Sequence, residues 1–401
     1  MAARPNPTKG GVMRVGVLGI GKTPHKIQHE KSLRDLVVES GRAAMADAGV
    51  EPSDIQALYV GNVGSVGFNY ENSTGLMSAH HLGVVPAGAV RVEAACGTGA
   101  WALHLGCVAI LSGLYDTVMV LGAEKMNDLA TVEGTSIIAQ AADSKEEYFS
   151  GLTFPSGVAL TARKYMQVYG LTEEDLAHTS VKNHHYGARN PYAHLRFECT
   201  VEEVMRSAKV ADPLKLYEVC PMTDASSALV LCREEILRDQ PDKPQVYVTA
   251  TQMATGTWYA ATDTLGDAYE LLARPAQRAY DMAGITADDI DVAEIYNSFA
   301  IQEPLGIESL GFAPQGEGWK GAADGSTWID GKVGVNLSGG LLCKGHPLGA
   351  TGSTQAVDIV EQLRGTAPKD MQRPNASIGI SACRGGPGAV GAIHVYQRLE
   401  G

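Results

Sequence analysis

The sequence predicts an α/β protein built from two similar halves, with a long insertion in the first half. Three observations carry this. Short apolar, strand-like runs alternate with helix-length segments along the whole chain. One stretch, Ala48-Gly49-Val50-Glu51-Pro52-Ser53-Asp54-Ile55, is echoed by Ala283-Gly284-Ile285-Thr286-Ala287-Asp288-Asp289-Ile290, and each copy follows a helical pattern and precedes a strand pattern. Finally, residues 350–365 and then 376–382 repeat the helix-then-strand order of 100–113 and 116–122.

In chain order, 14–19 (RVGVLG) reads as a buried strand, and 1–12 as a loose tail. Residues 32–48 have helical periodicity and stop at Gly49. A short strand at 54–60 and a turn at 61–65 follow. Residues 92–113, VEAACGTGAWALHLGCVAILSG, place Cys96 among small residues ahead of an almost wholly apolar run of helical length. A helix apolar on all sides is a buried one. A cysteine in the first turn of such a helix would meet unpaired N–H groups and the positive end of the dipole, which favour thiolate. Taken alone, the stretch favours a plain packing role, since free cysteine is among the most buried residue types, and the motifs further along reverse that. Strand 116–122 ends at Gly122-Ala123-Glu124.

In the second half, strand 376–382 leads at once to 389–396. In the first half, the matching strand, 227–232, lies roughly a hundred residues on, an excursion typical of a lid or binding unit. Residues 244–252 are read as resuming the first half, and 314–331 as a Gly-rich loop pinned by Trp319 and Trp328. The expected limits are 1–12 tail, 13–126 first half, 127–222 inserted lid, 223–270 completion of the first half, and 271–401 second half.

Composition narrows the function. A formal net charge of -13 over 401 residues argues against general nucleic-acid affinity. The seven cysteines show no CxxC spacing, so no metal site is expected. Their odd number, with no secretory leader and no run of 18 apolar residues, points to a reducing, cytoplasmic setting without a membrane span. No Walker-type phosphate loop occurs.

Three distant motifs carry chemistry. They are EAACGTGA around Cys96, VNLSGG followed by KGHPLGATG around His346, and SACRGGPG around Cys383. A histidine fixed in a Gly/Pro turn can serve a cysteine as base, the logic of an activated nucleophile. His104 reads as a satisfied core histidine. His184 and His185 read as part of a solvated loop. Lys164, Lys182, Arg189 and Arg196 could meet the phosphates of an anionic cofactor as point charges, though surface solvation is the commoner fate of such residues.

Together, the three motifs, the duplication and the insert resemble the thiolase family over residues 14–398. The stretches YFSGLTFPSGVALTARKYMQVYG and KNHHYGARNPYA look most like archaeal and sterol-carrier-type members. The resemblance implies a duplicated thiolase fold layered α-β-α-β-α, and an acyltransferase that forms or cleaves the carbon–carbon bond of 3-ketoacyl-CoA. It implies Cys96 as the nucleophile that becomes a thioester, His346 as its activator, and Cys383 as acid/base at carbon. Backbone N–H groups of Cys96 and Gly385, with His346, would form the oxyanion hole, and Asn297, Gly345 and Gly386 would line the substrate. Coenzyme A enters only as substrate, with no tightly bound cofactor and no metal. Relatives form homodimers or tetramers, and some associate with a small OB-fold acyl-CoA-binding protein or with hydroxymethylglutaryl-CoA synthase. The departure is Glu294-Ile295-Tyr296-Asn297-Ser298-Phe299, where thiolases carry Asn-Glu-Ala-Phe or His-Asp-Cys-Phe. Aligned on Phe299, Tyr296 replaces the Asn or His, and its hydroxyl can donate a comparable hydrogen bond. Asn297 is the neighbouring candidate. Tyr296 also leaves open a retro-aldol lyase on a β-hydroxyacyl-CoA. A non-catalytic acyl-CoA-binding subunit is the third reading, opposed by the intact reactive set.

Overall fold

A computed structural model describes residues 13–258 and 265–399. The tail expected at 1–12 lies outside the described residues. The first half contributes strands β1 (Val15–Lys22), β2 (Ala57–Gly61), β3 (Gly88–Val92) and β4 (Thr117–Glu124). The insert follows, with its small hairpin β5 (Lys209–Ala211) and β6 (Leu214–Lys215), and then β7 (Ala225–Arg233). The second half contributes β8 (Val246–Thr255), β9 (Val292–Ile295), β10 (Gly334–Val335), β11 (Ile378–Gly385) and β12 (Val390–Arg398).

The strand order is β10-β9-β11-β12-β8-β1-β7-β4-β2-β3. Read outward from the middle, both halves follow one plan. β1 and β8 each pair antiparallel with a long strand (β7, β12), which pairs antiparallel with the next (β4, β11); two parallel strands complete each half. The halves join where Val15 and Gly16 of β1 pair with Val248 and Tyr247 of β8. Residues 244–252, expected to complete the first half, therefore differ from that expectation. β8 pairs with β12 at nine positions and with β1 at only two. Its ladder, set by contacts with residues 390–398, makes it the counterpart of β1.

Helices complete five layers. Thr98–Leu111 and Thr351–Arg364 pack against each other between the two half-sheets, while Leu33–Ala48 and Leu265–Ala283 cover the outer faces. One core surrounds the central pair, with Leu103, Cys107 and Ile110 meeting Val357, Ile359 and Val360 between Val118, Val120 and Val292. Separate cores lie under each outer helix. The N-terminal turns of the central helices touch backbone to backbone. A Cβ on Gly99 would lie 2.7 Å from the Gly349 oxygen, and one on Gly352 would lie 2.3 Å from the Ala100 nitrogen. Only glycine permits that approach, and it brings the Cys96 and His346 segments together.

The insert is largely helical, including Thr131–Ala139, Phe154–Tyr169, Glu173–Arg189 and Val201–Arg206. The His- and Asn-rich stretch is no solvated loop. It belongs to the helix Glu173–Arg189, whose Thr172 cap accepts a hydrogen bond from the Asp175 N–H at 3.1 Å. His184 is buried against Phe197 and Tyr217, and His185 is half-buried against Trp328. Trp328 donates to the Ala322 carbonyl at 2.9 Å, so it does pin the Gly-rich loop.

Candidate active site

Four chain segments converge on one buried spot. Cys96 was expected inside the first helical turn. Instead it precedes Gly97, the N-cap of Thr98–Leu111, after Ala95 turns the chain with φ 46°. A non-glycine residue in that region is strained, a feature often found at functional turns. The Tyr296 hydroxyl lies 3.2 Å from His346 Nε2, the two rings meeting edge-on, and Tyr296 and His346 line one cavity with Cys96. The Cys383 Sγ lies 3.6 Å from the Cys96 carbonyl oxygen. Each has a local reason to be there. Tyr296 follows the end of β9, and its N–H bonds the Ala382 carbonyl at 2.8 Å. Cys383 lies on β11, and the His346 N–H is held by the Pro221 carbonyl at 3.3 Å, at the end of the insert.

The expectation of a resting thiolate fails. Burial pushes the Cys96 thiol up to about 11, more than the neighbouring Tyr296 hydroxyl and Gly386 amide lower it. The helix dipole falls off within a turn, and desolvation disfavours the charged form. Burial likewise pushes His346 down to about 3 and Cys383 well above its ordinary range. The resting site is therefore neutral: two thiols, a phenol and an imidazole. In such a site, proton transfer has to accompany attack rather than precede it.

The backbone amides of Gly386 and of Cys96 itself lower the Cys96 thiol, against the larger effect of burial. Gly385, expected to supply an oxyanion-hole N–H, packs against this turn: a Cβ there would lie 2.5 Å from the Gly97 nitrogen and 3.0 Å from the Cys96 nitrogen. Gly386 lines the cavity beside Cys96, as expected. Gly345 and Asn297 do not. Gly345 ends the helix Gly340–Lys344 and packs on Thr223. Asn297 is fully buried in a clamp. Its Nδ2 donates to Glu303 Oε2 at 2.9 Å, and its Oδ1 accepts from the Leu341 N–H at 2.7 Å. Asn183 and Asn336 donate to the same Glu303 oxygen at 2.8 and 2.7 Å, and Lys182 pairs with the other at 2.6 Å. Lys182 is thus buried structural charge and does not meet a phosphate, while Arg189 is taken up by the His185 carbonyl and Glu198. Lys164 and Arg196 are exposed. His104 bonds Thr251 Oγ1 at 2.8 Å, the satisfied role expected.

Sequence reading missed Cys220, which lines the cavity beside Cys96 and Tyr296. Nothing in Val219-Cys220-Pro221-Met222 marks it, since its place depends on the insert folding back. It also missed the buried ion cluster under His346. Lys344 bonds Asp358, Glu294 and Ser338, and Lys22 reaches Asp358 at 2.8 Å and Glu361 at 2.6 Å. A lysine inside the apolar run GGLLCKGHP was the available signal. Among the described residues no group of three or more His, Cys, Asp or Glu could hold a metal ion.

A two-half α/β fold that brings two buried thiols and an imidazole together holds a nucleophile and proton carriers suited to acyl transfer. Comparison with known proteins makes this specific. Residues 15–235 match the thiolase N-terminal domain, and 255–398 match a thiolase C-terminal domain-like model. An acetyl-CoA acetyltransferase of Methanothermobacter thermautotrophicus is 42% identical, covering 96% of this chain and 99% of its own. Sterol carrier protein 2 of Bos taurus is 33% identical over 99% of this chain and 74% of its own. Among solved structures, an Ltp2-ChsH2(DUF35) aldolase aligns with a TM-score of 0.81 at 25% identity, covering 96% of this chain and 98% of its own. The chain belongs to the thiolase family. It is an acyltransferase that forms or cleaves the carbon–carbon bond of 3-ketoacyl-CoA, and the retro-aldol alternative is not favoured.

Proposed function

We propose that this acyltransferase works through a thioester on Cys96, with Tyr296 linking the sulfur to its base. The carrying observation is the Tyr296 hydroxyl, which lines the same cavity as Cys96 and lies 3.2 Å from His346 Nε2. The Cys96 sulfur attacks the acyl-CoA carbonyl as its proton passes to the Tyr296 oxygen, and the phenolic proton passes to His346 Nε2. The carbon–sulfur bond to CoA breaks, and CoA leaves as the thiol. The amides of Cys96 and Gly386 stabilise charge on the carbonyl oxygen, a role typically worth about a hundred- to a thousandfold. Acetyl-CoA then binds. The Cys383 sulfur, left as thiolate once its proton has gone to the departing CoA sulfur, takes a proton from the methyl group of this acetyl-CoA, and the resulting carbon attacks the acyl-Cys96 carbonyl. One carbon–carbon bond forms, the bond to Cys96 breaks, and the Cys96 sulfur regains the proton held on His346. The high proton affinity of a buried thiolate suits it to a carbon acid.

The finer features belong to the same proposal. Residues 127–222 act as the lid over the cavity, and CoA is substrate only. β3 ends the sheet with Val90 exposed, an edge suited to pairing in a homodimer or a tetramer. An OB-fold acyl-CoA-binding protein or hydroxymethylglutaryl-CoA synthase is the proposed partner, with the two-part name of the aldolase relative as precedent. Seven free cysteines fit a reducing cytoplasm, and no described helix is long and apolar enough to cross a membrane. Mass spectrometry of the protein after incubation with acetyl-CoA, with peptide mapping, tests the central step. A mass gain on Cys96 is expected; an adduct elsewhere, or none, overturns it.

A further inference from the structure

Two cavities open on Cys96, and they differ in lining. One, of about 450 Å³, is bordered by Glu93, Gln140, Trp258 and several glycines and alanines. The other, of about 340 Å³, is walled by Met126, Ile138, Phe154, Val219, Met222 and Phe299. Among the described residues, no Lys, Arg, Asp or Glu lines this second cavity. Its titratable groups, Cys96, Cys220, Tyr296 and His346, are all held in their neutral forms by burial. It runs from the buried Cys96, Tyr296 and His346 to a mouth where Val210 and Leu216 are 43% and 52% exposed. Two apolar side chains at an open mouth extend the greasy path to the surface rather than closing it.

Its size far exceeds what an acetyl group needs. A cavity of about 150 Å³ with apolar walls already accepts a benzene ring, and this one is more than twice that volume. An acetyl thioester on Cys96 would place one methyl group in it. Leaving such a cavity wet and apolar gains nothing, whereas an acyl chain lying in it is removed from water along its length.

We propose that the apolar cavity between Cys96 and the insert holds the hydrocarbon part of an acyl group well beyond acetyl, so that the substrates are medium-chain or bulky 3-ketoacyl-CoA thioesters. The inference rests on the acyl-Cys96 reading above. In thiolysis the bond between C2 and C3 of the 3-ketoacyl-CoA breaks. C3 and its chain stay on the Cys96 sulfur, C2 takes a proton, and acetyl-CoA leaves. A free CoA thiol then displaces the chain as a new, shorter acyl-CoA and returns its proton to Cys96. The tail therefore lies beside the sulfur, where this cavity begins. Thr135, on the insert helix that walls it, is the residue whose enlargement shortens the cavity.

The test compares thiolysis of acetoacetyl-CoA and 3-ketooctanoyl-CoA by wild type and Thr135→Phe. Wild type should show kcat/KM at least roughly tenfold higher for the longer substrate, since even one methylene in a fitted apolar pocket is worth about that. Thr135→Phe should cut the ratio by at least roughly tenfold. A ratio unmoved by Thr135→Phe, or KM rising equally for both lengths, overturns the proposal; the latter outcome assigns the cavity to the pantetheine arm. A competition experiment needs no variant. Wild type given equal acetyl-CoA and octanoyl-CoA should carry mainly octanoyl on Cys96 by mass spectrometry, and mainly acetyl would overturn it. Cleavage of neither 3-ketoacyl-CoA would defeat the acyltransferase reading itself, which is a separate result.

Discussion

The two halves share one scaffold yet place different residues at matched positions. The echoed segment aligns Ile55 with Ile290, and so Ala57 with Val292. Their partners across the parallel pairing are Val118 and Gly379. Counting on along each strand, Gly61 matches Tyr296, and Gly122 matches Cys383. In the first half both positions are glycine, and the second half's turn packs onto them. A Cβ on Gly122 would lie 2.6 Å from the Gly349 oxygen, and one on Gly61 3.1 Å from that atom. In the second half the same positions carry a phenol and a thiol aimed at Cys96. The connections differ too: β4 reaches β7 through the insert, while β11 reaches β12 through 386–389. Duplication thus supplied a symmetric frame. Chemistry arose where one copy kept side chains and the other gave up volume to let the copies close.

Replacing the thiol breaks this asymmetry most directly. Cys383→Ala should slow condensation by about a thousandfold, the loss of one positioned acid/base, while Cys96 still takes an acyl group. Condensation assays beside intact-mass spectra check it; parallel loss of acylation would merge the two thiol roles. Next comes the other matched position. Tyr296→Phe keeps the ring and removes the hydroxyl between sulfur and imidazole. Formation of acyl-Cys96 should slow by about a hundredfold in rapid-quench measurements, and an unchanged rate would show that His346 acts without it.

The first half should answer in stability. Gly122→Ala forces a methyl against the Gly349 carbonyl, and overpacking of this kind costs about 1–3 kcal/mol. A fall of a few degrees in Tm is expected by calorimetry; an unchanged Tm would mean that the 349–353 turn yields freely. The smallest effect is pH-dependent. Burial holds His25, His346 and His394 down to about 3. Their rings stay neutral in the native state, while the unfolded chain takes up protons below about 6.5. The stability tied to each is whole above about 6.5 and is lost as pH falls toward 3, at up to about 1.4 kcal/mol per pH unit. Glu124 and Glu218, raised to about 6 and about 7, act in the opposite sense. The difference between wild type and His25→Leu isolates one group. Urea melts at pH 6 and pH 5 should show wild type losing more stability than the variant over that step.

Much of this was legible in the sequence because it is local. Helix stops at Gly49 and Gly365, the echoed segments and the three Gly-rich motifs depend on neighbouring residues, and they gave the duplicated α/β frame, the thiolase resemblance and the set Cys96, His346 and Cys383. What only the tertiary structure decided depends on segments far apart in the chain. The ladder between 246–255 and 390–398 moved β8 into the second half. Burial, not the helix dipole, set the charge of Cys96, because desolvation is a sum over everything packed around the sulfur. The choice between Tyr296 and Asn297 turned on strand register: successive residues leaving β9 face opposite ways, so one met His346 and the other met Glu303. The insert buried Lys182 and brought Cys220 to the cavity by folding back across the second half, a consequence of packing that no local pattern in 127–222 encodes.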